Sequence, residues 1–328
     1  MSRALLVCVL VACQGGGAPG KGSAAAIGSA ARDPWGASDP WAAAPASADD
    51  PPSLFERHKL ADEACPTVKA PFFFRVEKDG HTNYLLGTYH IGVPFSKFPA
   101  VVHDTLHQAK LVMFELPPST KPPRLNQGKI SIRDALGPEL WKHYRELVGS
   151  AAAEMNERAS PMLASLQLAL MYDDPSAMLE EQIQADLRPL NIPMQGLETE
   201  DFQLDVLSKL FDVRLLRAIV ATTKDRAELR DEKVHSLHDY CAGTASEQIF
   251  DEHERKAMHD VGYTDADLAA FEDELLYSRN AAWIPKLEDL FAQSGVVVAV
   301  GAGHLRGPKG VPALLEGRGY KVTRVTPP

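Results

Sequence analysis

The feature that most constrains this chain is a pattern that occurs twice, near the two ends of its folded part. Residues 83–92 read NYLLGTYHIG and residues 297–307 read VVAVGAGHLRG, so an apolar run twice leads into Gly-x-x-His. Such runs predict buried strands, and the glycines allow the backbone to leave each strand sharply. In open α/β sheets, ligands bind at the carboxyl ends of the strands. The repeat therefore predicts that His90 and His304 meet in one cleft.

The rest of the pattern predicts a mixed α/β fold. The predicted strands are 72–76, 83–87, 111–117, a short one ending at Gly196, 295–301 and 320–325. Helical spacing of apolar residues joins the third strand to the second, and the last strand to the fifth. We therefore expect a central mixed sheet built from the N- and C-terminal parts of the folded region. A large helical insertion, about residues 130–290, lies between them.

Two carboxylates follow predicted strands, as the histidines do. Glu115 ends the run LVMFE, and Glu198 follows IPMQGL. A carboxylate on a buried strand is unfavourable unless it is paired or bound. Two imidazoles with one or two carboxylates match a divalent metal site that keeps open positions for water. We therefore expect His90, His304 and Glu115 to hold a metal ion, and a free carboxylate to accept a proton from bound water.

Three further candidates carry two interpretations each. Glu198 is either a catalytic carboxylate or an acid favoured at a helix N-terminus, where Thr199 is a candidate N-cap. Arg279 and Asn280, between two predicted helices, are either ordinary capping residues or a clamp on a carboxylate. We predict that Glu115 and these three residues serve catalysis.

The remaining histidines give weaker signals. His103 and His107 are spaced i, i+4 on one helix face, but no glutamate follows His103 as it would in a zincin. The histidines within 234–240 and 251–260 lie in polar helical stretches. We interpret all of them as solvated faces.

Composition and motifs argue against other functions. The 44 acidic residues exceed the 34 basic ones and give a net charge of -10, which disfavours a nucleic-acid partner. The chain contains neither Cys-x-x-Cys nor the Walker A pattern. The run GAGHLRG follows a strand, but the next strand ends without an acidic residue for a ribose, so a dinucleotide site is not expected.

The N-terminus predicts export. Residues 1–13 combine one arginine with a short apolar run, about half of what a bilayer-spanning helix needs. The run LVAC resembles the lipobox of bacterial lipoproteins, which makes Cys13 the lipidated residue and predicts an anchor in the cell envelope, at the outer membrane because Gln14 carries no retention signal. The alternative is secretion with a cleaved signal. Residues 14–52 are rich in Gly, Ala, Ser and Pro and predict a flexible linker; residues 53–328 would form a single domain.

Two cysteines remain in the predicted domain. Cys65 and Cys241 are an even pair in an oxidising compartment, so they are either a disulfide or two unrelated thiols.

Taken together, the motifs resemble the TraB/GumN family, which includes the Wnt-inactivating TIKI proteases. The resemblance spans about residues 70–327 and rests on LLGTYHIG, LVMFELP, QGLETEDFQLDVL, SRNAAWIPKL and VVAVGAGHLRGPKGVPALLEGRGYKVTRV. Its two Gly-x-x-His motifs map onto Gly87–His90 and Gly301–His304, and its acidic strand end onto Glu115. Tyr89 stands where an aliphatic residue is common.

The resemblance implies a mixed α/β fold related to the erythromycin-esterase and haem-binding ChaN-like proteins. For the TIKI branch it also implies a peptidase dependent on manganese or cobalt. We therefore expect a cell-envelope lipoprotein with a hydrolase domain that acts on peptides and uses manganese, cobalt or zinc. One alternative is a binding protein that captures a peptide, a signal or haem without turnover. The other is a structural envelope protein with a relic site.

Overall fold

The protein is described by a computed structural model that covers residues 50–118, 130–244, 250 and 252–327. The predicted export signal, Cys13 and most of the predicted linker lie outside these residues. None of the helices in the described part of the chain combines the length and the apolar character needed to cross a bilayer.

Six strands lie within this part of the chain, close to the segments predicted from the sequence. They are β1 (Phe73–Lys78), β2 (His81–Thr88), β3 (Leu111–Phe114), β4 (Met194–Gly196), β5 (Val296–Gly301) and β6 (Lys321–Arg324). One sheet contains all six in the order β4-β3-β5-β2-β1-β6. Strands β4, β3, β5 and β2 run parallel, whereas β1 is antiparallel to both β2 and β6. The mixed sheet built from both ends of the folded region is thus confirmed.

The α-helices of the described residues surround this sheet. They are α1 (Leu54–Ala64), α2 (Ala100–His107), α3 (Ile132–Val148), α4 (Ser150–Met155), α5 (Pro161–Ala169), α6 (Leu179–Leu187), α7 (Glu200–Leu210), α8 (Val213–Thr222), α9 (Arg226–Ala242), α10 (Glu252–Asp260), α11 (Asp265–Glu272), α12 (Ser278–Phe291) and α13 (Val311–Glu316). Helices α3 to α12 lie between β3 and β5, interrupted by β4, as expected for a helical insertion.

The β1–β2 hairpin follows directly from its turn residues. Asp79 and Gly80 both have positive φ, 51° and 78°, as a two-residue type I′ turn requires. Farther along β2, the buried side chain of Asn83 joins this hairpin to its neighbour. It accepts from the amide of Val296 at 2.9 Å and donates to the carbonyl of Phe291 at 3.1 Å. Strand β5 is thereby fixed against β2.

Strand β5 separates two apolar clusters, which explains its continuous apolar sequence. Val297 packs into the large cluster formed mainly with the helical insertion, whereas Val298 packs into a smaller cluster with α12 and α13. Because successive side chains of a strand point to opposite faces, both faces of β5 are buried.

The disulfide left open by the sequence is present. Cys65, just after α1, is bonded to Cys241 near the end of α9, with their Cα atoms 5.8 Å apart. The bond ties the start of the described chain to the helical insertion.

Candidate active site

Four parallel strands deliver four of the predicted site residues to one edge of the sheet. His90 follows β2, Glu115 directly follows β3, Glu198 follows β4 and His304 lies in the 3-10 turn after β5. Strands β2 and β5 are neighbours in register, because Thr88 pairs with Gly301. The two Gly-x-x-His motifs therefore end side by side.

The glycine of the first motif has a different role from the one expected. Gly87 lies inside β2 rather than at a turn, and a Cβ atom there would lie 2.7 Å from Cβ of Phe72 and 3.1 Å from Cα of Ala302. Ala302 belongs to the second motif. Gly87 thus permits close approach of the two motifs, whereas Gly92 and Gly307 have positive φ, 103° and 71°.

Glu115 is the centre of the site. Its Oε1 accepts from the amide of Gly301 at 2.7 Å, and its Oε2 accepts from Arg279 Nη2 at 2.8 Å and from Gln203 Nε2 at 3.1 Å. Burial alone would raise the pKa of Glu115, but the charge of the Arg279 guanidinium and the amide hydrogen bond from Gly301 oppose it, and the pKa is lowered to about 2. Glu115 is therefore a buried carboxylate that stays ionised.

Both histidines turn their Nε2 atoms toward Glu115. His304 Nε2 lies 3.5 Å from Glu115 Oε1, and His90 Nε2 lies 3.8 Å from the same oxygen. His90 Nε2 is buried and has no hydrogen-bond partner among the described residues. Buried polar atoms are normally satisfied, so this nitrogen is a candidate ligand-binding atom.

Asn280 fixes the tautomer of His304. Its amide nitrogen donates to the carbonyl of Lys309 at 2.9 Å, so its Oδ1 is an acceptor and receives the Nδ1 proton of His304 at 2.6 Å. Burial lowers the pKa of His304 to about 3, which keeps the ring neutral. The lone pair of its Nε2 therefore faces Glu115 and Arg279, whose Nη1 is 3.3 Å away.

Asn280 is hydrogen-bonded to Nδ1 of His304, and the carboxylate of Glu180 has the equivalent position at Nδ1 of His90. His90 Nδ1 is hydrogen-bonded to Oε1 of Glu180, which also accepts from the hydroxyl of Thr88. Burial alone would lower the pKa of His90, but the charge of Glu180 outweighs it and raises the pKa. The two histidines therefore have opposite electrostatic environments.

Arg279 joins the two carboxylates of the site. Its Nε and Nη2 donate to Glu198 at 2.8 Å and 3.0 Å, and its Nη1 donates to the carbonyl of Leu275 at 2.9 Å. Arg279 lies at the start of α12, which continues directly from a π-helical turn, Asp273–Tyr277. Burial raises the pKa of Glu198 despite this pairing. Glu115 and Glu198 thus have pKa values shifted in opposite directions.

The structure brings all the predicted site residues together: His90, Glu115, Glu198, Arg279, Asn280 and His304. Two details differ from expectation. Arg279 and Asn280 lie within α12 rather than between two helices, and both are buried. Thr199 does cap α7, accepting from the amide of Phe202 at 3.3 Å, but Glu198 precedes that cap and pairs with Arg279.

The sequence patterns did not predict two residues of the site, Glu180 and Gln203. Glu180 lies in the first turn of α6 and Gln203 in the first turns of α7, each within an ordinary helical pattern. An acid near a helix start is common for reasons of the helix dipole, so only the contacts to His90 and Glu115 reveal their place.

Outside the site, the histidines of α2 make local contacts. The ring of His103 packs against Phe95 with centroids 4.0 Å apart and a tilt of 41°, and His107 Nε2 is 2.6 Å from Asp186 Oδ2. His107 lies on the surface, as expected, whereas His103 is half-buried.

A buried ion pair supports the loop after β2 from the other side. Lys233 of α9 donates to Asp173 and, at 3.1 Å, to the hydroxyl of Tyr89, which is hydrogen-bonded to Ser236 at 2.8 Å. Tyr89 thus holds the loop to α9 beside His90.

A comparison with known protein families matches the region that contains the sheet and the candidate active site. A family model described as the TraB/PrgY/gumN family matches residues 72–324, which include the complete sheet and every candidate site residue. No significant match was found to a curated protein or to a solved structure.

Proposed function

The chain belongs to the TraB/PrgY/gumN family, and from that premise we propose that it is a metal-dependent hydrolase of the bacterial cell envelope that acts on peptides. One observation carries the proposal. The Nε2 atoms of two buried histidines converge on Oε1 of Glu115, at 3.5 Å from His304 and 3.8 Å from His90.

The donor set fits a divalent metal in chemistry, because imidazole and carboxylate are ligands that such ions prefer. Among the described residues, no three His, Cys, Asp or Glu side chains are already gathered closely enough to hold an ion. However, two ligand atoms on one tetrahedral zinc ion are roughly 3.4 Å apart, close to the separations of both histidines from Glu115. His90 Nε2, which has no hydrogen-bond partner in the described ranges, supports the same assignment. His90, His304 and Glu115 would hold manganese, cobalt or zinc.

Such an ion supplies a bound water of lowered pKa and polarises a substrate carbonyl. The residues around it would orient and balance this chemistry. Glu198, whose pKa is raised by burial, is the proposed proton acceptor. Arg279 holds both carboxylates in place, and Asn280 keeps the lone pair of His304 Nε2 directed into the site.

Peptides are proposed as substrates because the family that the motifs resemble includes the TIKI proteases as one branch. One contact favours a second candidate, a non-catalytic protein that captures a peptide, a signal or haem. Arg279 Nη1 lies 3.3 Å from His304 Nε2 and satisfies that nitrogen without a metal. A metal on His304 would replace this contact.

Metal analysis of the purified mature protein tests the proposal. We expect about one equivalent of manganese, cobalt or zinc in the wild type, less in His90→Ala and His304→Ala, and no change in His107→Ala, which removes a surface histidine. A wild type that takes up none of these metals would overturn the metal-dependent hydrolase. Uptake without cleavage of a peptide library under all three metals would favour the binding protein.

The proposed location has its own test. Cys13 is the proposed lipidation site, and Cys13→Ser is expected to move the protein from the membrane fraction to the soluble fraction. Continued membrane association of the variant would contradict a lipid anchor at this residue.

A further inference from the structure

Backbone pairing places the start of α6 beside the first histidine. The amide of Leu179 donates to the carbonyl of His90 at 2.9 Å, and the amide of Gly92 donates to the carbonyl of Ala177, also at 2.9 Å. Ile91 and Met178 form an isolated antiparallel bridge between these hydrogen bonds. The segment before α6 is therefore fixed along the loop that carries His90, and Glu180 follows it directly.

The carboxylate of Glu180 is held by two groups of that loop. Its Oε1 accepts from the Thr88 hydroxyl and from His90 Nδ1. Thr88 is fully buried, and the side chain of His90 is 5% exposed against 19% for Glu180. A hydroxyl has one proton to give, and a carboxylate at this position has none, so the proton in the second contact belongs to His90 Nδ1.

The hydrogen bond between His90 Nδ1 and Glu180 determines the protonation of the other ring nitrogen, Nε2. In the neutral ring with the proton on Nδ1, His90 Nε2 carries a lone pair, and this buried nitrogen has no hydrogen-bond partner within the part of the chain that the structure describes. It lies 3.8 Å from Glu115 Oε1. A carboxylate on the outer nitrogen of a histidine commonly fixes the tautomer and ring orientation of a metal ligand and increases its basicity.

The second histidine has a neutral partner in the equivalent place. His304 Nδ1 donates to the amide oxygen of Asn280 at 2.6 Å. The two rings thus present Nε2 to the same carboxylate, but only His90 is supported by an anion. Loss of the partner should therefore affect His90 more than His304.

We propose that Glu180, with Thr88, is a positioning residue that fixes the Nδ1-protonated tautomer of His90 and aims its Nε2 at Glu115. Its role as a determinant of metal affinity rests on the proposed function. Removing such a partner lowers metal affinity or activity by about 10–100-fold.

The test is a calorimetric titration of the metal-free mature protein with Mn²⁺ and Co²⁺. We expect the dissociation constant to rise about 10–100-fold in Glu180→Ala, and less in Glu180→Gln, which keeps an acceptor oxygen. Thr88→Val should have a smaller effect in the same direction. Glu181→Gln is the matched control, because Glu181 is the neighbouring acid in the same first turn of α6, and it should leave the dissociation constant unchanged.

A second measurement separates this inference from the proposed function. Nitrogen-15 spectra of the histidines in the metal-free protein, recorded at a pH where the ring is neutral, should show the proton of His90 on Nδ1. Glu180→Ala should redistribute it to Nε2, while His304 keeps its tautomer.

The outcomes are distinct. A wild type that binds no metal overturns the metal-dependent hydrolase, and the tautomer of His90 then decides the positioning role alone. Normal metal binding with equal dissociation constants in Glu180→Ala and Glu181→Gln overturns the inference and leaves the proposed function standing. A proton on Nε2 of His90 in the wild type also overturns it. If Glu180→Ala does not fold, Glu180→Gln provides the same comparisons.

Discussion

Arg279 donates two hydrogen bonds to Glu198, one of 2.8 Å from Nε to Oε1 and one of 3.0 Å from Nη2 to Oε2. The same Nη2 also reaches Glu115 at 2.8 Å. One buried guanidinium therefore pairs with two carboxylates that would otherwise repel each other.

Removing the guanidinium should be strongly destabilising. We expect Arg279→Met to lower the free energy of unfolding by about 3–5 kcal/mol, because it leaves buried carboxylates uncompensated. Arg279→Lys should be intermediate, since a lysine cannot donate the bidentate pair. Urea unfolding measures both.

Arg214→Met is the surface control for these variants, because Arg214 pairs with the partly exposed Asp267. It should change the free energy of unfolding by about 1 kcal/mol or less. Equal effects of Arg279→Met and Arg214→Met would contradict the role assigned to the buried pair.

Glu115 should make stability dependent on pH in the acidic range. Its folded pKa of about 2 lies below the ordinary value of 4.5, so its contribution is fully present above pH 4.5 and is lost as pH falls toward 2. In the metal-free protein, Glu115→Gln should lower the free energy of unfolding by about 3 kcal/mol at pH 7. The difference from wild type should shrink by about 1 kcal/mol at pH 3.5. If the difference in free energy of unfolding between wild type and Glu115→Gln is the same at pH 7 and pH 3.5, the lowered pKa of Glu115 is contradicted.

The close approach of the two motifs at Gly87 predicts intolerance to a methyl group. Gly87→Ala places a Cβ atom 2.7 Å from Phe72 Cβ, and overpacking of this kind destabilises by about 1–3 kcal/mol. Gly317→Ala is the control, because its nearest contact is 3.4 Å and its φ is −61°. Thermal unfolding should separate the two variants; equal melting temperatures would contradict the packing role of Gly87.

The disulfide should contribute to the stability of the described domain. Cys65 and Cys241 are 176 positions apart, so the bond restricts a large part of the unfolded chain. Replacing both by alanine should lower the free energy of unfolding by about 2–5 kcal/mol. A reducing agent should destabilise the wild type similarly and leave the double variant unchanged. A wild type insensitive to reduction would contradict this contribution.

The sequence predicted those parts of the site that depend on strand ends. Residues that directly follow parallel strands must lie at one edge of the sheet, so His90, Glu115, Glu198 and His304 were identifiable from the apolar runs before them. The mixed sheet followed from the same runs. Both inferences use local patterns together with a strong rule of topology.

The remaining contacts depend on long-range packing that no local pattern encodes. Glu180 and Gln203 sit in helices of the insertion, where their spacing fits any amphipathic helix. Lys233 lies in a polar helical sequence, and only the fold buries it against Asp173. The place of Gly87 inside β2 was likewise missed, because a glycine at the end of an apolar run usually marks a turn.

The π-helical turn at Asp273–Tyr277 sets how Arg279 and Asn280 are oriented about the axis of α12. A π turn accommodates one residue more than an α turn, and α12 continues from it with Arg279 directed at Glu198 and Asn280 at His304. A single-residue deletion in this turn would convert it to α-helix and keep both side chains near their partners. A single-residue insertion would instead rotate α12 by about 100° about its axis and separate both side chains from their partners at once.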